Sequence, residues 1–146
     1  MALQTITKDI LTRTSGAALL NLPYDISFLA GYDSETEGED VVARKYGELV
    51  MARPGTFVGE EGYIDTVCTG QVLIVDIEKD TGSDFASIYS TKPQFVAGVG
   101  NQQMTAGTRT TDTFAAYDRI KFKVTQKGST VAGKGVRFML KCRADG

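Results

Sequence analysis

Hydrophobic and polar residues alternate most regularly near the C-terminus of the chain. Every second residue is apolar in the stretch 119–126, and the pattern returns in the stretch 136–141. A period of two is typical of β-strands that bury one face and expose the other. Each stretch therefore predicts a strand, and the residues predicted to be buried are Ile120, Phe122, Val124, Val136, Phe138 and Leu140.

Shorter apolar stretches, separated by turn residues, fill most of the chain before these two strands. Asp80–Asp84 predicts a hairpin turn. Pro54-Gly55 and the stretch Gly59–Gly62 predict breaks between strands, and residues 97–113 predict one or two weaker strands. The other predicted strands are 48–53, 56–58, 63–68, 71–79 and 86–91.

These strands are not separated by amphipathic helices, which a parallel βαβ arrangement would need. We therefore predict an all-β fold, an antiparallel β-sandwich of jelly-roll type. A chain of 146 residues is long enough for one domain with a substantial core. We assign residues 46–146 to the sandwich and residues 1–45 to an extended N-terminal arm and an acidic loop.

The N-terminal region contains an apolar segment, Ala17–Leu22 (AALLNL), ahead of Pro23. Proline disfavours helix at the residue before it and favours extended chain there. The segment is too apolar to remain in water, and two interpretations stay open. It packs on its own domain, or it is an arm that reaches a neighbouring subunit.

The chain contains no histidine. Its absence excludes Ser-His-Asp and Cys-His nucleophile systems, histidine-ligated zinc and two-histidine iron sites. Asp76 and Glu78 share a strand face, but their neighbours give no reason to expect a cleft between two catalytic carboxylates. We therefore expect no catalytic residue, cofactor or metal ligand, and no enzyme; a carbohydrate-active β-sandwich is the weakest alternative.

Two further features bear on where the protein is made. No apolar run is long enough to span a bilayer, and the first residues do not resemble a secretory signal. We expect synthesis in a cytoplasm and no membrane partner. Cys68 and Cys142 are then expected to be buried free thiols, because cytosolic cysteines stay reduced, although a disulfide between them is left open.

Charges are segregated although the net charge is only −2. Residues 33–40 (DSETEGED) are acidic without a basic residue, and all charged residues from Arg119 to Arg143 are basic. We interpret the basic strands as a solvated face and not as a nucleic-acid site, since the chain is acidic overall and its nearby aromatics lie on the apolar face. The acidic loop and the basic face are predicted to make complementary contacts between copies or with a partner.

Three blocks in the last 85 or so residues resemble a domain of bacteriophage virion proteins. They are the stretches 62–79 (GYIDTVCTGQVLIVDIEK), 87–95 (SIYSTKPQF) and 118–138 (DRIKFKVTQKGSTVAGKGVRF). The resemblance implies a small jelly-roll-like domain without catalytic residues. The chain departs from the usual pattern in a longer hairpin turn at residues 80–86 and in Val67-Cys68, where the pattern has Ala-Pro.

For a chain of this length, the resemblance implies a capsid decoration, or cement, protein. Such a protein would be part of the virion, assembled in the host cytoplasm, and would bind the major capsid protein as a homo-oligomer, in many cases a trimer. The alternative is a tail or tail-fibre component that mediates attachment to the host or to another tail protein.

Overall fold

The computed structural model describes residues 22–34 and 38–145, and all regular secondary structure within them is β-strand. No helix in these ranges is long and apolar enough to cross a membrane. The twelve strands are β1 Leu22–Pro23, β2 Ile26–Ala30, β3 Lys45–Val50, β4 Gly55–Thr66, β5 Leu73–Asp80, β6 Phe85–Ser87, β7 Tyr89–Thr91, β8 Gln94–Phe95, β9 Thr108–Arg109, β10 Thr113–Phe114, β11 Arg119–Gln126 and β12 Lys134–Ala144.

The strands form two five-stranded antiparallel sheets and a small ladder of β7 with β9. In the first sheet, sheet A, β12 lies between β4 on one side and β1 and β2 on the other, and β10 continues from β4. In the second, sheet B, the order is β3-β11-β5-β6, and β8 also pairs with β5. The predicted all-β class and antiparallel β-sandwich are confirmed.

The core between the sheets is built on aromatic side chains from both of them. Phe122 of sheet B lies 5.2 Å from Phe28 and 5.1 Å from Phe138 of sheet A, measured between ring centroids. Strands β11 and β12 bury the alternate apolar residues that the sequence predicted to be buried. Period-two alternation thus supplies one buried row from each sheet, namely Ile120, Phe122 and Val124 against Val136, Phe138 and Leu140.

The two C-terminal strands belong to different sheets, so the linker between them crosses from sheet B to sheet A. Gly133 has φ +95° and Gly135 has φ +63°, in the region that favours glycine. A Cβ on Gly135 would lie 2.4 Å from Asp65 Oδ2. Gly133 precedes β12, and Gly135 lies within it.

Several predicted strand boundaries were wrong; the strand predicted at 48–53, for example, is β3 at Lys45–Val50. β4 is continuous through Gly59–Gly62, because these residues pair with β12 and the side chain of Glu60 is held by a buried ion pair. The predicted strand 86–91 is instead two short strands, which end at Ser87 and begin at Tyr89. They belong to different ladders, since β6 pairs with β5 and β7 pairs with β9.

Part of the region predicted as arm and loop already lies in the sandwich. Leu22–Pro23 and Ile26–Ala30 pair with β12, and Val41 is fully buried in the core. The predicted arm at residues 1–21 lies outside the described residues, as does the centre of the acidic loop at residues 35–37.

Cys68 and Cys142 are both buried and both free, so the prediction of two free thiols is confirmed. Burial raises the pKa of the Cys142 thiol to about 12. At neutral pH that thiol stays protonated and is a poor nucleophile.

Candidate interaction surface

The outer face of sheet A carries apolar side chains where the strand register places three strands side by side. Arg137 of β12 pairs with Leu29 of β2 on one side and with Tyr63 of β4 on the other. Tyr63 also forms an isolated antiparallel β-bridge with Gln103. Side chains opposite one another in a sheet lie on the same face. These four residues therefore form one row across the outer face.

A second row lies two residues further along the same strands. Met139 pairs with Ser27 of β2 and with Glu61 of β4. The two rows line a groove of about 720 Å³ on the outer face. We call it the sheet A groove, and its lining includes Ser27, Leu29, Glu61, Tyr63, Gln103, Met104, Arg137 and Met139.

The groove exposes large apolar side chains to solvent. Leu29 is 54% exposed, Tyr63 42% and Met139 38%. Single exposed apolar residues are ordinary on protein surfaces, but a contiguous group on one concave face is characteristic of a binding site. The arrangement suits contact with another apolar surface and offers no reactive group.

Two ion pairs involve residues that line the groove. Lys141 contacts Glu61 at 2.6 Å, and Arg137 contacts Asp65 at 2.5 Å. Asp65 also accepts a hydrogen bond of 2.9 Å from the Tyr32 hydroxyl. The hydrogen bond from Arg137, followed by that from Tyr32, holds the pKa of Asp65 below its usual value. The groove therefore combines exposed apolar side chains with ion-paired ones, since Arg137 lies between Leu29 and Tyr63 and Glu61 lies beside Met139.

The buried carboxylate of Glu60 is held inside the protein by donors from one neighbouring segment. Gly107 N–H donates to Glu60 Oε1 at 2.7 Å, and Arg109 Nη1 donates to Oε2 at 3.0 Å. Burial raises the pKa of the nearby Tyr89 hydroxyl, and the charge of Glu60 adds to the effect. A buried carboxylate neutralised in this way connects Gly107 and β9 to β4, which is a structural role.

Asp76 and Glu78, the carboxylates that share a strand face in the sequence, are each neutralised separately. Asp76 Oδ2 lies 2.8 Å from Lys92 Nζ, and the Ser87 hydroxyl donates to Asp76 Oδ1 at 2.6 Å. Glu78 contacts Lys123 at 2.9 Å. Among the described residues, no group of three His, Cys, Asp or Glu side chains is placed to hold a metal ion.

The basic face predicted from the sequence is largely neutralised within the chain. Five of its eight basic residues contact a carboxylate of the same chain. Lys134 contacts Asp40 of the acidic loop at 3.6 Å, and Asp33 of that loop contacts Arg44. The acidic and basic segments thus meet partly inside one copy, which weakens the expectation of complementary contacts between copies.

Sequence reasoning did not find the sheet A groove. Leu29 lies in the region that was predicted to be arm and loop, and Glu61 lies in the predicted break within β4. The outward position of Met139 was predicted correctly but was interpreted as part of a solvated face. The sequence signal that could have indicated the groove was the presence of apolar residues, Tyr63 and Met139, at outward positions of long strands. Both are exposed in the structure.

No protein-family model matches the chain, and no curated protein matches it. Among solved structures, the chain is similar to one described as the cyanophage Pam1 capsid asymmetric unit. The two share 14% identity over 88% of this chain and 89% of that chain, with a TM-score of 0.49. A likeness at this level does not assign the chain to a family.

Proposed function

We propose that this protein is a non-enzymatic structural component of a bacteriophage virion, and specifically a capsid decoration protein that binds the assembled shell. The observation that carries the proposal is the set of three sequence blocks, in order, that resemble phage virion domains. They contribute β7, β8 and β11 entirely, together with most of β5 and parts of β4, β6 and β12. The resemblance therefore covers the strands that make most of the sandwich.

The surface of the domain supports a binding role over a chemical one. The buried carboxylates Glu60 and Asp76 are each paired with a cation, whereas apolar side chains are left exposed in the sheet A groove. Exposed apolar groups gain free energy when another protein covers them, at roughly 25 cal/mol for each Å² removed from water. We propose that the partners are the major capsid protein and further copies of this chain, in a trimer.

A protein that binds only the assembled shell stabilises the shell by mass action. Many copies repeated by the shell symmetry allow a small interface to have a large total effect. On this proposal the virion is the site of action, after assembly in the host cytoplasm.

The copy number in purified virions tests the proposal directly. Quantitative mass spectrometry should find this chain in a fixed ratio to the major capsid protein, comparable with the number of shell subunits. Tail proteins in the same sample serve as the reference for low copy number. A handful of copies would reject a decoration protein in favour of a tail or tail-fibre component, and absence from virions would reject both.

A further inference from the structure

Two apolar features of the chain suit contact with each other, namely the sheet A groove and the segment Ala17–Leu20. The groove exposes Leu29, Tyr63 and Met139, as described above. The segment Ala17–Leu20 supplies four apolar residues in a row, directly before the described part of the chain begins at Leu22. The segment matches the exposed apolar side chains of the groove in polarity, and the charged residues of the groove, Glu61 and Arg137, are ion-paired within the chain.

The place where the described chain begins decides which groove the segment can reach. Leu22 pairs with Ala144, at the far end of β12. The groove rows are set by Met139 and Arg137, which lie ~17 Å and ~24 Å back along β12 at about 3.4 Å per residue. Residues before Leu22 therefore start well away from the groove of their own copy.

The segment is too short to return to that groove. Five extended residues span at most ~17 Å, and reversing the direction of the chain uses at least about two of them. The remainder covers ~10 Å, which is less than the distance from Leu22 to either groove row. The length of the segment therefore excludes contact with the groove of its own copy.

We propose that Ala17–Leu20 of one copy docks in the sheet A groove of a second copy. The occupant is a segment of this same chain, and the interface is an exchange of N-terminal segments between copies. The inference concerns the free protein in solution and does not depend on the role in the virion. It can therefore fail while the decoration function holds, and the reverse is also possible.

Disulfide trapping between two differently tagged copies tests which groove is occupied. One full-length copy carries Leu20→Cys and the other carries Tyr63→Cys, and the two are mixed under mild oxidation. Cys68 and Cys142 are buried, and the pKa of Cys142 is about 12, so the native thiols should not compete at pH 8. We expect a disulfide that joins the two tags.

The matched control replaces Tyr63→Cys by Tyr117→Cys, because Tyr117 is 86% exposed and lies outside the groove. That pair should link at least about tenfold less, since its thiols are not held together. The proposal is overturned if both pairs link equally, or if neither links. It is also overturned if a copy carrying both Leu20→Cys and Tyr63→Cys forms only a link within one chain.

Sedimentation measurements on full-length variants provide a second test. Leu20→Asp and Met139→Asp should each raise the dissociation constant of the oligomer at least about tenfold, because each removes apolar contact and buries a charge. Val99→Asp is the control, since Val99 is fully exposed and lies outside the groove. Circular dichroism checks that each variant is folded.

The sedimentation results distinguish the exchange of segments from association through another surface. Loss of association in both groove and segment variants, but not in Val99→Asp, supports the exchange. A folded Met139→Asp variant that dissociates, beside a Leu20→Asp variant that does not, would show that another surface occupies the groove. A wild-type protein that is monomeric at ~100 μM would also overturn the proposal, because this exchange requires two copies.

Discussion

The two outer faces of the sandwich arise from the same alternation of residues but present different surfaces. On sheet B, charges pair across neighbouring strands: Arg119 contacts Asp80 at 2.6 Å, Lys123 contacts Glu78 at 2.9 Å, and Lys121 Nζ lies 3.5 Å from the ring centroid of Phe85. On sheet A, the exposed apolar side chains Leu29, Tyr63 and Met139 stand beside the ion-paired Arg137 and Glu61 in the groove.

The comparison shows how the register between strands decides what an outward face can do. Exposed ion pairs stabilise a fold by only about 0–1 kcal/mol each, but they leave few unpaired groups to attract a partner. Exposed apolar side chains add nothing to the free monomer and gain free energy when they are covered. We therefore take the sheet A face as the binding face and the sheet B face as solvated.

The largest expected effect comes from the core that both faces share. Phe122→Ala should lower the free energy of unfolding by about 3–5 kcal/mol, because it removes a fully buried ring between Phe28 and Phe138. Urea denaturation followed by circular dichroism measures the change. The neighbouring Lys121→Ala is the control, and a loss as large as that of Phe122→Ala would contradict the assignment of inward and outward positions.

Substitutions on the two outer faces should separate association from stability. Met139→Asp should weaken association between copies at least about tenfold and leave the free energy of unfolding of the monomer within about 1 kcal/mol. Lys123→Ala on sheet B should change neither quantity by more than that margin. Sedimentation and urea denaturation give the two readouts, and weaker association in Lys123→Ala would assign binding to the other face.

Acid should destabilise the fold through carboxylates on both faces. Hydrogen bonding holds the pKa of Asp65 and of Asp80 below the usual 3.8, from Arg137 in the first case and from Gly82 N–H and Arg119 in the second. The unfolded state then binds more protons than the folded state, so the stabilisation is present above about pH 4 and is lost as pH falls through the lowered values.

Thermal melting between pH 2 and pH 6 checks this dependence. The melting temperature should fall below about pH 4, and Asp65→Asn and Asp80→Asn should each show a smaller fall than wild type. The two variants compare the faces directly, because Asp65 borders the groove and Asp80 lies on sheet B. A melting temperature that rises below pH 4 would contradict the sign of these shifts.

Salt should have the smallest effect. Most of the basic residues on the C-terminal strands are paired within the chain, and the proposed contact between copies is made by apolar side chains. Raising NaCl from 0.05 M to 0.5 M should change the dissociation constant by less than about threefold, since screening acts mainly on exposed charges. A change of about a hundredfold would favour charge complementarity between copies instead.

Much of the fold follows from the sequence because its signals are local. The buried rows of β11 and β12 alternate in the sequence itself, and they were predicted residue by residue. The break predicted at Gly59–Gly62 was wrong because glycine composition alone does not show that a strand continues under pairing with β12. That pairing joins residues about 80 positions apart, such as Glu61 and Met139.

The groove could not be predicted for the same reason. Its rows combine residues from β2, β4 and β12, and no two of these strands are adjacent in the sequence. The neutral character of the basic face also depends on distant partners, since Arg137 contacts Asp65 and Lys141 contacts Glu61. Alternation predicts which side chains point outward, but their neighbours on that face are set by the register between strands.

Hydroxyl-radical footprinting of the full-length protein tests the central claim, that the sheet A face is the binding face, most directly. Oxidation is measured at a concentration where copies are separate and again where they associate. Tyr63 and Met139 should become protected on association, while the 86%-exposed Tyr117, beside β11 of sheet B, should oxidise at the same rate in both samples. Protection of Tyr117 with unchanged oxidation of Tyr63 and Met139 would contradict the claim.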